Sequence, residues 1–194
     1  MRTKRLRYIH LGVSGSSFSV LRQTFGTGTR SRWRPQSDGS NASEKLGKLV
    51  LRNSIRIVTV CVSVGAFWTL ENPGSSFLFR MPAVNRLLSL RSTHSILVDM
   101  CAFGLVERPG GPYYKKRTRI IGNLPGLDAL VRSCPKDHEH QHVEDNVVID
   151  GKSVKRSKLA GVYPRSFCLA LSKLVKEVLI SSSTSADRRR LGSR

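Results

Sequence analysis

Apolar residues in this chain come in short, dense runs separated by polar, glycine-rich stretches. Tyr8 to Val13 (YIHLGV) passes straight into Gly and Ser, the pattern of a buried strand that ends in a loop. Residues 14–40 are cationic, too polar to pack and too long for a simple connection, so a long basic loop is expected there. Asn41 or Ser43 is suited to cap a helix, and Glu44 follows Asn41 by three residues as in a capping box. Leu46, Leu49, Val50, Ile57, Val60, Cys61 and Val64 then recur at near-helical spacing up to Gly65. One long, half-buried helix carrying that apolar series is predicted.

Phe67 to Leu70 (FWTL) reads as a strand that stops at Glu71-Asn72-Pro73-Gly74, because proline cannot donate to a ladder and pushes the residue before it into an extended conformation. A turn and then a helix from about Pro82 account for Phe77 to Leu90. Ser95 to Cys101 and Arg117 to Ile121 read as strands, Leu127 to Val131 as one helical turn, and Phe167 to Ile180 as an amphipathic helix. Residues 134–156, a His-rich and acidic stretch, are polar enough to form an exposed hairpin or loop. Short apolar strands alternating with helices point to parallel strands covered on both faces, an α/β architecture. The expected organisation is a basic segment 1–7, an α/β domain 8–180 and a disordered basic tail 181–194.

Charge narrows the partner. Thirty-three Lys and Arg face thirteen Asp and Glu among 194 residues, a formal net charge of +20. So cationic a chain repels itself unless a polyanion neutralises it, so nucleic acid is the expected partner. An anionic membrane surface ranks second, since no basic stretch alternates with apolar residues over several helical turns. The most apolar run, Ile57 to Leu70, falls short of the roughly twenty residues that a spanning helix needs. Four dispersed cysteines read as reduced thiols of an intracellular protein, in nucleus or cytoplasm. Met1 to Ser37 holds no acidic residue, which keeps an organelle transit peptide open, although Gly12, Gly15, Gly26 and Gly28 would break its amphipathic helix.

Two basic clusters combine cations with aromatics as single-stranded nucleic acid requires: Arg30, Arg32 and Arg34 around Trp33, and Lys115, Lys116, Arg117 and Arg119 after Tyr113-Tyr114. The alternative for each is a solvated cationic surface. In an extended segment His138, His140 and His142 share one face, and with Cys134 they could form a tetrahedral site, zinc being the ion such ligands favour. Histidines of a solvated loop beside Asp137, Glu139, Glu144 and Asp145 are the competing reading.

Three pieces, in order and spacing, resemble the catalytic half of the cytosine-5 DNA methyltransferases in the divergent form found in phage and mobile-element proteins, across roughly residues 6–175. YIHLGVSGSSFSVLR looks like the strand that in this family ends in Pro-Cys. FWTLENPGSSFLF is similar to the strand ending in Glu-Asn, and DMCAFG with KKRTRIIGN looks like a later strand pair with a basic element. The resemblance implies a partial Rossmann-like sheet of mostly parallel strands. In the family a thiolate adds to ring carbon six of a flipped cytosine, an acid engages the ring nitrogen, and S-adenosylmethionine supplies the methyl group. Glu71 takes the acid position, Asn72 holds the turn, and Arg117 and Arg119 supply charge to the base or phosphates.

Two departures accompany the match. Where the family has Pro-Cys the chain has Ser14-Gly15, so the nucleophile position is Gly15. The Gly-rich cofactor loop also lacks a counterpart, since GTGTR at Gly26 to Arg30 follows no apolar strand. The resemblance therefore implies a degenerate, inactive methyltransferase-like protein with residual nucleic-acid binding, no S-adenosylmethionine bound, and self-association through exposed sheet edges. The alternative is a small basic nucleic-acid-binding protein, organelle-targeted or not, without enzymatic ancestry.

Overall fold

A computed structural model describes residues 6–191, with side chains described as far as residue 183. The chain is mixed α/β. In order along it come β1 (Tyr8–Gly12), α1 (Val20–Thr24), α2 (Ala42–Ser63), β2 (Phe67–Pro73), α3 (Pro82–Leu88), β3 (His94–Asp99), β4 (Tyr113–Tyr114) and β5 (Arg117–Gly122). Then follow β6 (His140–Gln141), β7 (Asn146–Ile149), β8 (Lys152–Lys155), α4 (Arg156–Leu159) and α5 (Arg165–Leu191). Four strands form one sheet in the order β1-β2-β5-β3, and β4-β6 and β7-β8 form two smaller ones. β1–β2 and β4–β6 are parallel, while β7–β8 is antiparallel, so strands pair in both senses. Among the described residues no helix is long and apolar enough to cross a membrane.

Two compact units divide the chain: residues 1–95 with 119–125, and residues 96–118 with 126–194. In the first, the core joins Val13, Phe18, Leu51, Val58, Cys61, Trp68, Leu70, Leu78, Val84 and Ile121. Gly122 of β5 lies so close to β2 that a Cβ there would stand 2.2 Å from the Trp68 carbonyl oxygen, which restricts the position to glycine. In the second unit, β7 and β8 make a hairpin whose turn residues Asp150 and Gly151 both have positive φ (49° and 73°), the geometry that an Asp-Gly pair favours.

Helix α2 starts as its sequence predicts, with the Asn41 Oδ1 accepting the Glu44 amide at 3.3 Å. Its packed face is another matter. Glu44, Leu51, Ser54, Val58 and Cys61 are the buried residues, whereas Leu46, Leu49, Val50, Ile57, Val60 and Val64 are exposed. The buried stripe was disguised because two of its members, Glu44 and Ser54, are polar, and because half-buried Gly47 is where Ser17 approaches the helix.

Glu44 is polar because it receives the loop before it. Its carboxylate accepts the Thr29 amide (2.9 Å), the Thr29 hydroxyl (2.6 Å) and the Arg30 amide (3.3 Å). Burial pushes this carboxyl up, but the Thr29 and Arg30 donors outweigh it and hold the group below the ordinary glutamate value. Residues 14–40 are thus no open loop: a 3-10 turn at Ser16–Phe18, α1 and Arg30 organise them.

Arg30 is the principal correction in this segment. Expected at a nucleic-acid surface, it is 2% exposed and lies over the Phe18 ring, its guanidinium donating to the carbonyls of Ser17 (2.9 Å), Glu44 (3.0 Å) and Pro35. A guanidinium with three carbonyl acceptors and an aromatic face beneath it is satisfied in the interior. The tail is corrected too. α5 continues to Leu191, so the segment expected to be disordered from residue 181 is helical that far; residues 192–194, like residues 1–5 of the basic N-terminal segment, lie outside the described residues.

Candidate functional site

In the first unit the parallel register of β1 and β2 sets Gly12 opposite Glu71, so the turns that follow the two strands emerge side by side. Asn72, fully buried, ties them together by donating from Nδ2 to the Val13 carbonyl. Its Oδ1, also buried, has no hydrogen-bond partner among the described residues and lies 3.5 Å from where a Cβ on Gly15 would be. Gly15 itself has φ −72° and ψ −15°, a conformation open to any residue, and a Cβ there would meet the Pro73 ring at 3.1 Å. The structure therefore sets Gly15 against Asn72 and Pro73, with Glu71 the residue of β2 that precedes Asn72. The neighbouring hydroxyls Ser14 and Ser16 bond each other at 3.0 Å. His10, a residue of β1, bonds the Thr69 hydroxyl through Nδ1 at 2.8 Å, and burial lowers its pKa.

Beside the β2 turn opens a cleft of about 630 Å³, lined among others by Gly74, Ser76, Arg32, Trp33, Arg80 and Arg119. Trp33 is 86% exposed, and the Arg32 guanidinium lies 5.3 Å from its ring centre. Arg119 is held in place by a 2.9 Å bond to the Ser95 hydroxyl and by the Phe79 ring, 4.9 Å away. A rigid indole face among three guanidinium groups suits a base and its phosphates. Arg34 is exposed on the same loop but does not line the cleft. Arg80 escaped the sequence reading. It is a lone cation closing an apolar run, and only the 3-10 turn Phe77–Arg80 directs it here.

Arg119 apart, the second basic cluster belongs to the second unit, where most of it is engaged by the protein. Arg117 makes a two-pronged ion pair with Asp99 (2.7 and 3.0 Å), and the Lys116 ammonium donates to the Ala160 carbonyl at 2.9 Å. Tyr114 is fully buried, and Tyr113 stacks on His138 with ring centres 4.0 Å apart. Lys115 is exposed. Of this cluster, then, Lys116, Arg117 and both tyrosines are engaged by the protein, which the cation-aromatic composition alone could not reveal.

Also in the second unit, four potential ligand atoms from Cys101, Cys134, His138 and His140 lie within 4.8 Å of one another. The Cys134 sulfur is 3.6 Å from His138 Nε2 and 3.5 Å from His140 Nε2, and the two nitrogens are 3.1 Å apart. Burial and the Cys134 sulfur push the Cys101 thiol up to about 11. His142 is not in this group. Strand β6 covers only His140 and Gln141, and His142 lies beyond it with its side chain 68% exposed, 3.9 Å from Glu144. Cys101 completes the set, from the 3-10 turn Met100–Phe103 directly after β3. Thirty-odd residues of intervening chain hid it from any reading of local spacing.

No family model, no curated protein and no solved structure matches the chain.

Proposed function

We propose that the chain is a non-catalytic protein of cytosine-5 DNA methyltransferase type that binds single-stranded or locally opened nucleic acid. One observation carries this reading: Glu71-Asn72 and Ser14-Gly15 close two adjacent parallel strands, as the resemblance requires of an acid and a nucleophile, yet no thiol stands there. The first cysteine of the sequence is Cys61, buried in α2. Further support comes from the sheet, in which the strands of all three resembling pieces take part.

The chemistry accounts for both the loss and what is retained. Addition to a pyrimidine ring needs a thiolate; a serine hydroxyl, whose pKa lies far above the value of about 8.5 for a free thiol, does not replace it at neutral pH. Binding does not need the sulfur. Arg32, Arg80 and Arg119 meet phosphates, and Trp33 offers a stacking face that tolerates any base. DNA is the substrate class of the family resembled, which places it ahead of RNA.

The test uses the full chain. Fluorescence anisotropy with a labelled single-stranded oligonucleotide should show salt-sensitive binding that survives Glu71→Ala and weakens strongly in the Arg32→Ala/Arg80→Ala/Arg119→Ala variant. Labelled S-adenosylmethionine should transfer no methyl group to DNA. Incorporation that Glu71→Ala abolishes would overturn the non-catalytic reading, and binding indifferent to the three arginines would overturn the assignment of the cleft.

A further inference from the structure

We infer that Cys101, Cys134, His138 and His140 hold one zinc ion in a closed structural site, with Cys101 in the place that local spacing would give to His142. The argument is one of distances. A tetrahedral zinc ion with Zn–S of about 2.3 Å and Zn–N of about 2.0–2.1 Å separates its ligand atoms by about 3.3 Å for N···N, about 3.6 Å for S···N and about 3.8 Å for S···S. The observed 3.1 Å between the imidazole nitrogens and 3.5 and 3.6 Å from sulfur to nitrogen reproduce the first two. Two imidazoles linked only by a hydrogen bond would account for the nitrogen pair. They would not make both nitrogens converge on the same thiol, with a second thiol within 4.8 Å of all three atoms.

The surroundings are those of a ligand set held ready. His138 engages the Asp137 carboxylate through Nδ1 at 2.8 Å, which fixes Nε2 as the coordinating nitrogen and makes it more basic. The Lys136 amide points at the Cys134 sulfur from 3.4 Å, a donor that favours thiolate, and Lys136 takes a positive φ of 64° to do so. Behind the sulfur, the Cys134 amide is anchored by the Asp99 carboxylate (2.9 Å), itself clamped by Arg117. Tyr113 covers the His138 ring, and the pairing of β4 with β6 puts Tyr113 in register with His140. Sulfur and imidazole in equal number select zinc among the common divalent ions, and four protein ligands leave no open position for a reaction.

Such an ion would join the turn after β3 to the 134–140 segment and to the short β4–β6 sheet. A two-residue sheet is too small to persist unaided, so the metal would stabilise it directly.

Metal content and thiol protection of the full chain, purified under reducing conditions, provide the test. Elemental analysis should find one zinc per chain, and cobalt exchanged into the site should give the visible bands of a tetrahedral ion with thiolate-to-metal charge transfer. Iodoacetamide mapping of the unmutated protein should leave Cys134 unmodified until a chelator is added, while exposed Cys168 reacts throughout. His142→Ala should keep the full stoichiometry and the cobalt spectrum, and Asp137→Asn should lower zinc affinity by about 10–100-fold. Metal-free protein after zinc supplementation, Cys134 alkylated equally with and without chelator, or loss of zinc on His142→Ala would each overturn the assignment.

Discussion

Arg30→Ala is expected to damage the fold and to spare nucleic-acid affinity, the reverse of what its sequence neighbourhood suggests. The substitution removes a side chain that is 2% exposed and leaves the carbonyls of Ser17, Glu44 and Pro35 without their donor, along with a void over Phe18. Hydrogen bonds to charged groups contribute about 1.5–3 kcal/mol each, but they are not additive, and buried charged networks typically lose about 3–5 kcal/mol when one member is removed. Against a total of about 5–15 kcal/mol this is a large fraction. For a chain of this size 1 kcal/mol moves the midpoint by about 2–4 °C, so the melting temperature should fall by roughly 6–20 °C. Urea and thermal unfolding followed by far-ultraviolet circular dichroism measure the loss, and anisotropy at a temperature where both proteins are folded measures affinity. A midpoint within 2 °C of the unmutated chain, combined with weakened binding, would refute the reasoning and return Arg30 to the surface.

Three further outcomes follow from the same packing. Gly122→Ala forces a Cβ to 2.2 Å from the Trp68 carbonyl and should cost about 1–3 kcal/mol or more, read in the same unfolding assay. Gly15→Cys brings a Cβ to 3.1 Å from the Pro73 ring and 3.5 Å from the Asn72 Oδ1 in an ordinary backbone conformation, so it should fold with less than about 1.5 kcal/mol lost and present a thiol that alkylating reagents detect. Glu44 and Asp99 have carboxyls held below their ordinary values. Asp99 owes this to the Arg117 hydrogen bond first, against a penalty from burial, with help from the Cys134 amide. A depressed pKa means that the unfolded chain takes up the proton first, so these groups stabilise the fold fully above the ordinary carboxylate values and lose that contribution as pH falls through the folded ones. Acid unfolding midpoints should therefore move toward neutral pH in Thr29→Val, which removes one donor to Glu44.

Local signals in the sequence were read correctly where local physics decides. Asn41 caps α2, Pro82 opens α3, and part of the stretch 134–156, expected as an exposed hairpin or loop, forms the β7–β8 hairpin; β2, expected to stop after Leu70, runs on through Glu71 and Asn72 to Pro73. What stayed hidden depends on partners distant in the chain. Apart from buried Cys61, the apolar series expected to pack on α2 faces outward, because Ser17 and the Arg30 loop claim the face bearing Glu44 and Gly47. Arg30 resembled its neighbours Arg32 and Arg34 in every local respect, and only the carbonyls gathered around it distinguish it. His138 and His140 were legible from alternation, whereas Cys101 reaches them through the tertiary fold and His142 leaves when the strand ends. Arg80 joins the cleft because a 3-10 turn aims it there.

The salt dependence of single-stranded DNA binding, compared between the unmutated chain and the Arg32→Ala/Arg80→Ala/Arg119→Ala variant, bears most directly on the proposed function. Each phosphate contact on a single strand contributes about −0.7 to the slope of log K against log salt, so removing three should reduce the slope by about 2. Glu71→Ala should leave slope and affinity unchanged. An identical slope in the triple variant, or binding abolished by Glu71→Ala alone, would contradict the account.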